Sequence, residues 1–340
     1  MSTIILNRGF PDAWKAGVLE QEIFETLKRN INTRWPTDLN LIVNPTFIDL
    51  GDSPELLRFC MDQRPNRVFV GSTTDPLSFT ESVIYQWFPN LDVPIKFGYF
   101  DGEYNFDFWA VACGRYFKQY TESDLRLTAP KYLYVNYNRK PHYHRQAIAR
   151  ALVHASLDQQ GILTLGKYPN QDYNFEIYKT LGETDEEYQE HGSGDVNGGV
   201  GIPNDIYSLG RVEIWQNHLV NVVSETEFSY KKQVFVSEKI WKPVIGMRPF
   251  MLNADPCVYS WLEARGFDTF LDLWPTLPHN NDVGTVVDSI VANLKWLSAF
   301  TDAEKMEWFQ SIYPRLKYNR NRFFEYVAEQ EQKVSTLFLK

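Results

Sequence analysis

Cysteine is scarce in this chain of 340 residues: only Cys60, Cys113 and Cys257 occur, an odd number, widely spaced and with no CxxC pair. Neither a disulfide framework nor a cysteine-based zinc site is supported, and a reducing, cytoplasmic setting is the expectation. Basic charge is also in deficit, since 34 Lys and Arg against 43 Asp and Glu leave a formal net charge of −9. A chain of that balance does not neutralise phosphates over its whole surface as a general nucleic-acid binder does, although a local basic groove stays open. Long apolar runs are missing as well. No stretch approaches the ~20 apolar residues that cross a bilayer, and the first residues lack the apolar core of a signal peptide, so no membrane span is expected. Internal repeats and low-complexity tracts are absent too.

What the chain has in quantity is apolar and aromatic side chains: 44% of residues are hydrophobic, with 10 Trp, 19 Tyr and 23 Phe. That is enough to fill real cores, and it suits pockets that stack flat ligands as well. Short apolar runs alternate with amphipathic stretches. Ile4–Leu6, Leu41–Val43, Arg67–Gly71 and Ile95–Phe100 read as strands, with a helix-like Trp14–Leu27 between the first two and a helix capped by Ser53, with Pro54 at its first position, before the third. A second unit opens at Tyr132–Asn136, after the punctuation of Thr128-Ala129-Pro130. Ile148, Ala151, Leu152 and Ala155 then recur on one helix face, and Ile162–Leu165 reads as a strand. Residues 167–201 are polar and turn-rich and read as a loop or insertion. The alternation resumes with strand Leu219–Val223, helix Ser237–Ile245, strand Pro249–Leu252 and helix Val258–Ala264. Val286, Val287, Ile290, Val291 and Leu294 repeat at helical spacing, and Arg315–Leu337 reads as a long terminal helix. Strands alternating with helices imply a parallel sheet covered on both faces, with ligands beyond the carboxyl ends of the strands.

Two segments carry candidate chemistry. In Phe235-Val236-Ser237-Glu238-Lys239-Ile240-Trp241, a capping serine and an acid stand at a helix start just after an apolar run. Free N–H groups there attract a phosphate, Lys239 adds a mobile positive charge, and Glu238 can accept both hydroxyl protons of a ribose diol. The same residues also read as a plain helix cap with an acid in the first turn and a solvated lysine. Upstream lies Asn221-Val222-Val223-Ser224-Glu225-Thr226, and downstream Gly246-Met247-Arg248-Pro249-Phe250 and then Gly266-Phe267-Asp268. The second segment, Asn136-Tyr137-Asn138-Arg139-Lys140-Pro141-His142-Tyr143-His144-Arg145, lies between a strand and its helix. A basic loop at that place can clamp a diphosphate through Arg139 and Arg145, or be a solvated basic loop.

With these motifs, residues 131–275 resemble the donor-binding half of GT-B glycosyltransferases, especially fucosyltransferase-like enzymes with a Thr-or-Ser-Glu-Lys helix start, and related glycosyltransferase-like proteins of phages and large viruses. The resemblance implies that Ser237, Glu238 and Lys239 hold ribose and diphosphate, that Arg139 and Arg145 bind phosphate, and that Asn221, Ser224 and Glu225 form a polar strand end beside the base or sugar. It implies a metal-independent reaction and no cofactor, the nucleotide sugar being a substrate. Enzymes of the GT-A type instead hold a divalent ion with an Asp-x-Asp motif, and the nearest approach here is Asp101-Gly102-Glu103, which also reads as an ordinary turn. His142 and His144 have a spacing that metal sites use, but no third ligand is evident nearby. An inverting transfer needs a general base, which in this family projects from the first domain. Asp75, Glu81, Asp101, Glu103 and Asp107 all follow strands there, and Asp101 and Glu103 are the candidates chosen.

The expected fold class is α/β, with two Rossmann-like domains facing each other across a cleft: residues 1–128 for the acceptor, 129–314 for the nucleotide-sugar donor, and a helix over 315–340 packing back on the first domain. The implied partners are a nucleotide-sugar donor and a glycan or other hydroxyl acceptor. Two rival readings remain. One is a viral DNA-base glycosyltransferase acting in the host cytoplasm, with Lys317, Arg320 and Arg322 on a basic rim, which the acidic net charge disfavours. The other is a binding module that keeps a transferase fold without turnover.

Overall fold

The computed structural model describes residues 2–6, 39–43, 67–72 and 95–99, single positions between 107 and 114, residues 117–138, 141–165 and 209–228, residue 234, and residues 236–337. The chain is mixed α/β with parallel sheets, and it divides into two compact units. The first comprises Met1–Val111 with Gly198–Ile202 and Ala328–Lys340, the second Ala112–Asn197 with Pro203–Val327.

In the first unit, strands β1 (Ser2–Leu6), β2 (Leu39–Val43), β3 (Arg67–Ser72) and β4 (Ile95–Tyr99) form a parallel sheet in the order β1-β2-β3-β4. Ile4 pairs with Leu41, Leu41 with Val68 and Val68 with Ile95, so one register line crosses all of it. The helices expected at Trp14–Leu27 and after Ser53 lie outside the described residues, as do Asp75, Glu81, Asp101 and Glu103. Asp107 is described, and it is buried. Its carboxylate accepts from the Ala110 N–H at 2.9 Å, and its own N–H donates to Gln330 Oε1 at 3.1 Å. That is the bonding of a helix cap and not of a free base.

The second unit holds β5 (Tyr132–Asn136), β6 (Ile162–Leu163), β7 (His218–Ser224) and β8 (Phe250–Asn253), all parallel, in the order β6-β5-β7-β8. All seven residues of β7 are buried, as an interior strand covered on both faces requires. Its helices are α1 (Tyr143–His154), α2 (Val212–Asn217), α3 (Glu238–Ile245), α4 (Cys257–Glu263), α5 (Val283–Ser298) and α6 (Asp302–Leu337) as far as Val327, the rest of α6 being counted with the first unit. Helix α5 packs on α1, β5 and β8, and α3 packs on β7. The turn-rich 167–201 segment lies outside the described residues.

Helix α3 is fixed along its whole length. Trp241 is fully buried among the rings of Trp261, Phe267, Phe323 and Tyr326, with centroids 5.2–6.3 Å away. At its C-terminal end, Arg320 donates to the Ile245 carbonyl at 3.0 Å, and the buried Arg248 donates to the Gly246 and Met247 carbonyls at 3.1 and 2.8 Å. Cations there satisfy the orphan carbonyls and oppose the negative end of the helix dipole. Gly246 is required by contact, since a Cβ there would lie 2.0 Å from the Trp215 ring. Met247, at φ 54°, then turns the chain towards β8.

The terminal helix begins earlier than its sequence suggests. Instead of starting at Arg315, α6 runs from Asp302 straight through Pro314. Its start is a reciprocal cap in which the Thr301 N–H donates to Glu304 Oε2 at 2.7 Å and the Glu304 N–H to Thr301 Oγ1 at 3.3 Å. A proline removes one helical hydrogen bond, and in a helix of 36 residues the surrounding turns carry the axis through it.

Candidate functional site

The order of the second sheet reverses between β5 and β7: the chain leaves β5 to add β6 on one side and returns to add β7 on the other. Segments leaving the carboxyl ends of those two strands part there, and crevices at such points are where open α/β sheets take ligands. The sequence motifs converge on that place. Helix α1 starts after β5 and carries His144 and Arg145, while α3 starts after β7 with Ser237, Glu238 and Lys239.

A continuous polar network lies across the carboxyl ends of all four strands. After β6, the Thr164 carbonyl accepts from Asn138 Nδ2 at 3.1 Å, and Thr164 Oγ1 accepts from the Asn138 N–H at 3.1 Å. Asn138 Nδ2 also donates to Asn136 Oδ1 at 2.6 Å, and Asn136 Nδ2 donates to the Val222 carbonyl at 2.7 Å and to Ser224 Oγ at 3.1 Å. From β8, Asn253 Nδ2 donates to the same Ser224 Oγ and to the His144 carbonyl, each at 3.0 Å. Ser224 thus ties three strands together, and its oxygen is occupied by that task. Asn221, further back on β7, is occupied as well, its side-chain amide 2.7 Å from His218 Nε2.

Glu225 is completely buried and joins the end of β7 to the start of α3. Its Oε1 accepts from the Ser237 N–H at 3.2 Å, and its Oε2 accepts from the Ser237 hydroxyl at 2.5 Å and the Thr226 N–H at 3.3 Å. Burial holds its carboxyl above the usual range, against the opposing pull of Lys239 and the Ser237 bonds. The Glu225 main-chain oxygen collects a further set of donors: His144 Nε2 at 2.8 Å, Arg145 Nε at 3.2 Å and Arg145 Nη2 at 2.8 Å. Because a carbonyl only accepts, His144 carries its proton on Nε2. Burial first, and then the neighbouring charges of Arg145 and Lys239, depress its pKa to about 4. The imidazole is neutral at pH 7, and Phe228 packs against its ring at 5.9 Å.

Lys239 is the most exposed charge of the cluster, with 26% of its side chain accessible. Its Nζ lies 2.6 Å from Glu238 Oε1, 3.0 Å from Thr226 Oγ1 and 3.3 Å from Ser237 Oγ. Burial would push the Glu238 carboxyl up, but the charge and hydrogen bond of Lys239, with Lys242 beyond, bring it below the usual range. The arrangement is a buried carboxylate and a partly buried ammonium at the start of a helix, with a second helix start, an arginine and a neutral histidine beside it. Such a set has the positive charge and N–H donors that an anion requires, and a carboxylate that accepts hydroxyl protons.

Among the donor-site residues expected from the sequence, Ser237, Glu238, Lys239, Arg145, Ser224 and Glu225 are brought together, with Asn221 one step behind as a strut. Arg139, Asp101 and Glu103 lie outside the described residues. Sequence reasoning did not single out Asn136, Asn138, Thr164 or Asn253. The available signal was an apolar strand ending in an amide, as in Tyr-Leu-Tyr-Val-Asn and Phe-Met-Leu-Asn. Among the described residues, no group of His, Cys, Asp and Glu stands close enough to hold a metal ion, and no helix is long and apolar enough to cross a membrane. The three cations of the basic-rim reading are engaged elsewhere: Lys317 with Glu122 at 3.0 Å, Arg320 with the Ile245 and Tyr120 carbonyls, and Arg322 with the Arg265 carbonyl at 2.8 Å. Set against protein-family models, curated proteins and solved structures, the chain matches none of them.

Proposed function

We propose that this chain is a glycosyltransferase of the GT-B type, with the second unit binding the nucleotide-sugar donor and the first, through Asp101 or Glu103, serving the acceptor hydroxyl. The observation that carries the reading is the convergence of two helix starts with Arg145 and Lys239 at the point where the order of the second sheet reverses. In this reading Lys239 leaves Glu238 for the diphosphate, and the released Glu238 carboxylate accepts from the ribose hydroxyls. Arg145, with Arg139, takes the remaining phosphate charge as the sugar departs, so the leaving group is stabilised by fixed N–H donors without a metal. Ser237 and Glu225 act behind them by fixing the start of α3 on the end of β7.

A thermal-shift screen of nucleoside diphosphates and nucleotide sugars without divalent metal tests this, because a ligand that binds only the folded chain raises the unfolding temperature. A selective shift that is lost in Lys239→Ala and in Arg145→Ala is the expected result. The absence of any shift at millimolar nucleotide overturns the assignment. Hydrolysis or transfer of the bound donor, followed by release of the nucleoside diphosphate, separates an enzyme from a binding module.

A further inference from the structure

Two atoms of the strand-end network have no partner. Asn138 and Asn253 are both fully buried, and the side-chain oxygen of each receives no hydrogen bond. The orientation of each amide is fixed by its nitrogen, which donates to a main-chain carbonyl: Asn138 Nδ2 to Thr164 at 3.1 Å and Asn253 Nδ2 to His144 at 3.0 Å. A carbonyl cannot donate, so turning either amide over would set oxygen against oxygen. The unsatisfied atoms are therefore acceptors, both at carboxyl ends of strands, one on either side of the reversal in strand order. Nearby, donors are in surplus, with three N–H groups directed at the single carbonyl oxygen of Glu225. A buried acceptor left unmade costs ~1–3 kcal/mol, and an apolar side chain of similar shape carries no such cost. A buried unmet group in a native protein calls for an explanation, and a ligand that supplies the missing partner is one.

An ionised phosphate has no proton to offer an amide oxygen, whereas a hydroxyl or an amino group has. We propose that Asn138 and Asn253 read the neutral, hydrogen-donating part of the ligand, the hydroxyls of its sugar or the amino group of its base, while Arg145 and Lys239 take its phosphates. This rests on the nucleotide-sugar reading and adds to it the division of the ligand between two sets of residues. Both oxygens are covered by protein, so a ligand's donor reaches them through local displacement of side chains at the strand ends.

The test is calorimetric titration of the full chain with inorganic pyrophosphate, UDP, GDP, UDP-glucose and GDP-mannose, on the native protein, Asn253→Ala and Asn138→Ala. In the native chain at least one of the nucleotides should bind about tenfold or more tighter than pyrophosphate. In each variant its affinity should drop about tenfold, while pyrophosphate stays within about twofold of native. Asn138→Ala leaves the bonds of Asn253 to His144 and Ser224 in place, so it carries the test if Asn253→Ala does not fold. Unchanged nucleotide affinity, or an equal loss for pyrophosphate and nucleotide, overturns the role of the asparagines and leaves the phosphate site standing. Nucleotide binding that depends on the asparagines, with no pyrophosphate binding at all, overturns the phosphate site and keeps the asparagines. A native chain that binds none of the probes overturns both.

Discussion

The two sheets of this protein have the same number of described strands, all parallel, and yet they differ in the two features that make a ligand site. The first adds each strand beside the last, β1-β2-β3-β4, and its order never reverses among the described strands. The second reverses between β5 and β7. Strand ends differ by degree, two of the four in the first sheet being apolar. Those of the first sheet finish in Leu6, Val43, Ser72 and Tyr99, whereas β5, β7 and β8 finish in Asn136, Ser224 and Asn253, and Thr164 follows β6. A reversal opens the place for a ligand, and polar strand ends furnish it with donors and acceptors. Parallel pairing, which both sheets share, does neither by itself.

That contrast depends on α3 being held rigidly at the end of β7, and the largest test removes its anchor. Trp241→Ala empties the centre of an aromatic cluster and should cost ~3–5 kcal/mol in urea unfolding, the range for truncating a large buried aromatic. A loss under ~1 kcal/mol would mean that α3 is not fixed by this packing, and the site would lose its rigid half. A smaller and more local test is Ser224→Ala. It deletes the one acceptor shared by the Asn136 and Asn253 amides, leaving each amide nitrogen with a single bond, and should cost ~1–3 kcal/mol. Urea unfolding at fixed pH measures it, and a neutral outcome would show that the strand-end network is not a structural unit.

The buried histidines sharpen the same comparison through pH. His144 is depressed to about 4 and His218 to about 3, in both cases chiefly by burial. Arg248 adds to the shift at His218, whose two ring nitrogens contact the Ile214 carbonyl and Asn221. Both rings are neutral in folded and unfolded chains well above pH 6.5, the ordinary value of a histidine, so stability there does not depend on them. As pH falls below it, the unfolded chain takes up protons that the fold refuses. Stability should therefore decline by on the order of 1.4 kcal/mol per pH unit for each histidine until the folded values are reached. Glu225 works the other way, because its raised pKa lets the fold bind a proton before the unfolded chain does, offsetting part of the slope. Proton NMR of the imidazoles checks the geometry directly: neither ring should titrate at pH 5 or above, and a midpoint near 6.5 for either would contradict its burial.

How far the sequence disclosed this site depends on the distance over which each contact acts. Strand β5 has the bounds that its apolar run suggests, Tyr132–Asn136, and α3 starts directly after Ser237, because a strand and a helix cap are decided within a few residues. Ser237, Glu238 and Lys239 were legible for the same reason. The strand-end network was not: Asn138 meets Thr164 26 residues away, Asn136 meets Ser224 88 away and Asn253 meets His144 109 away, contacts that only the strand order creates. Local chemistry also misdirected. The terminal helix reads from Arg315 in the sequence, whereas the Thr301–Glu304 cap, 3 residues wide, starts α6 at Asp302. Glu225 looked ready for a ligand because its place after a strand is the right one, but its carboxylate is bound to Ser237, 12 residues on.

Polar contacts outside the site should matter much less, and Arg315 gives the smallest effect. Its guanidinium forks to Asp268 at 2.5 and 2.7 Å and to Asp272 at 2.6 and 2.9 Å, more bonds than Ser224 makes in the buried network. The Arg315 hydrogen bonds hold the Asp272 carboxyl below its usual range. Yet 67% of the Asp272 side chain is exposed, so water solvates both partners whether or not they meet, and salt screens what remains. Asp272→Asn should therefore cost ~0.2–1 kcal/mol in urea unfolding, shrinking further in high salt. Ser224→Ala, which disturbs as many bonds, and longer ones, should cost more because nothing replaces them. If the two substitutions cost the same, the number of bonds and not their burial sets the energy, and the strand ends of the second sheet are no more than ordinary surface chemistry turned inward.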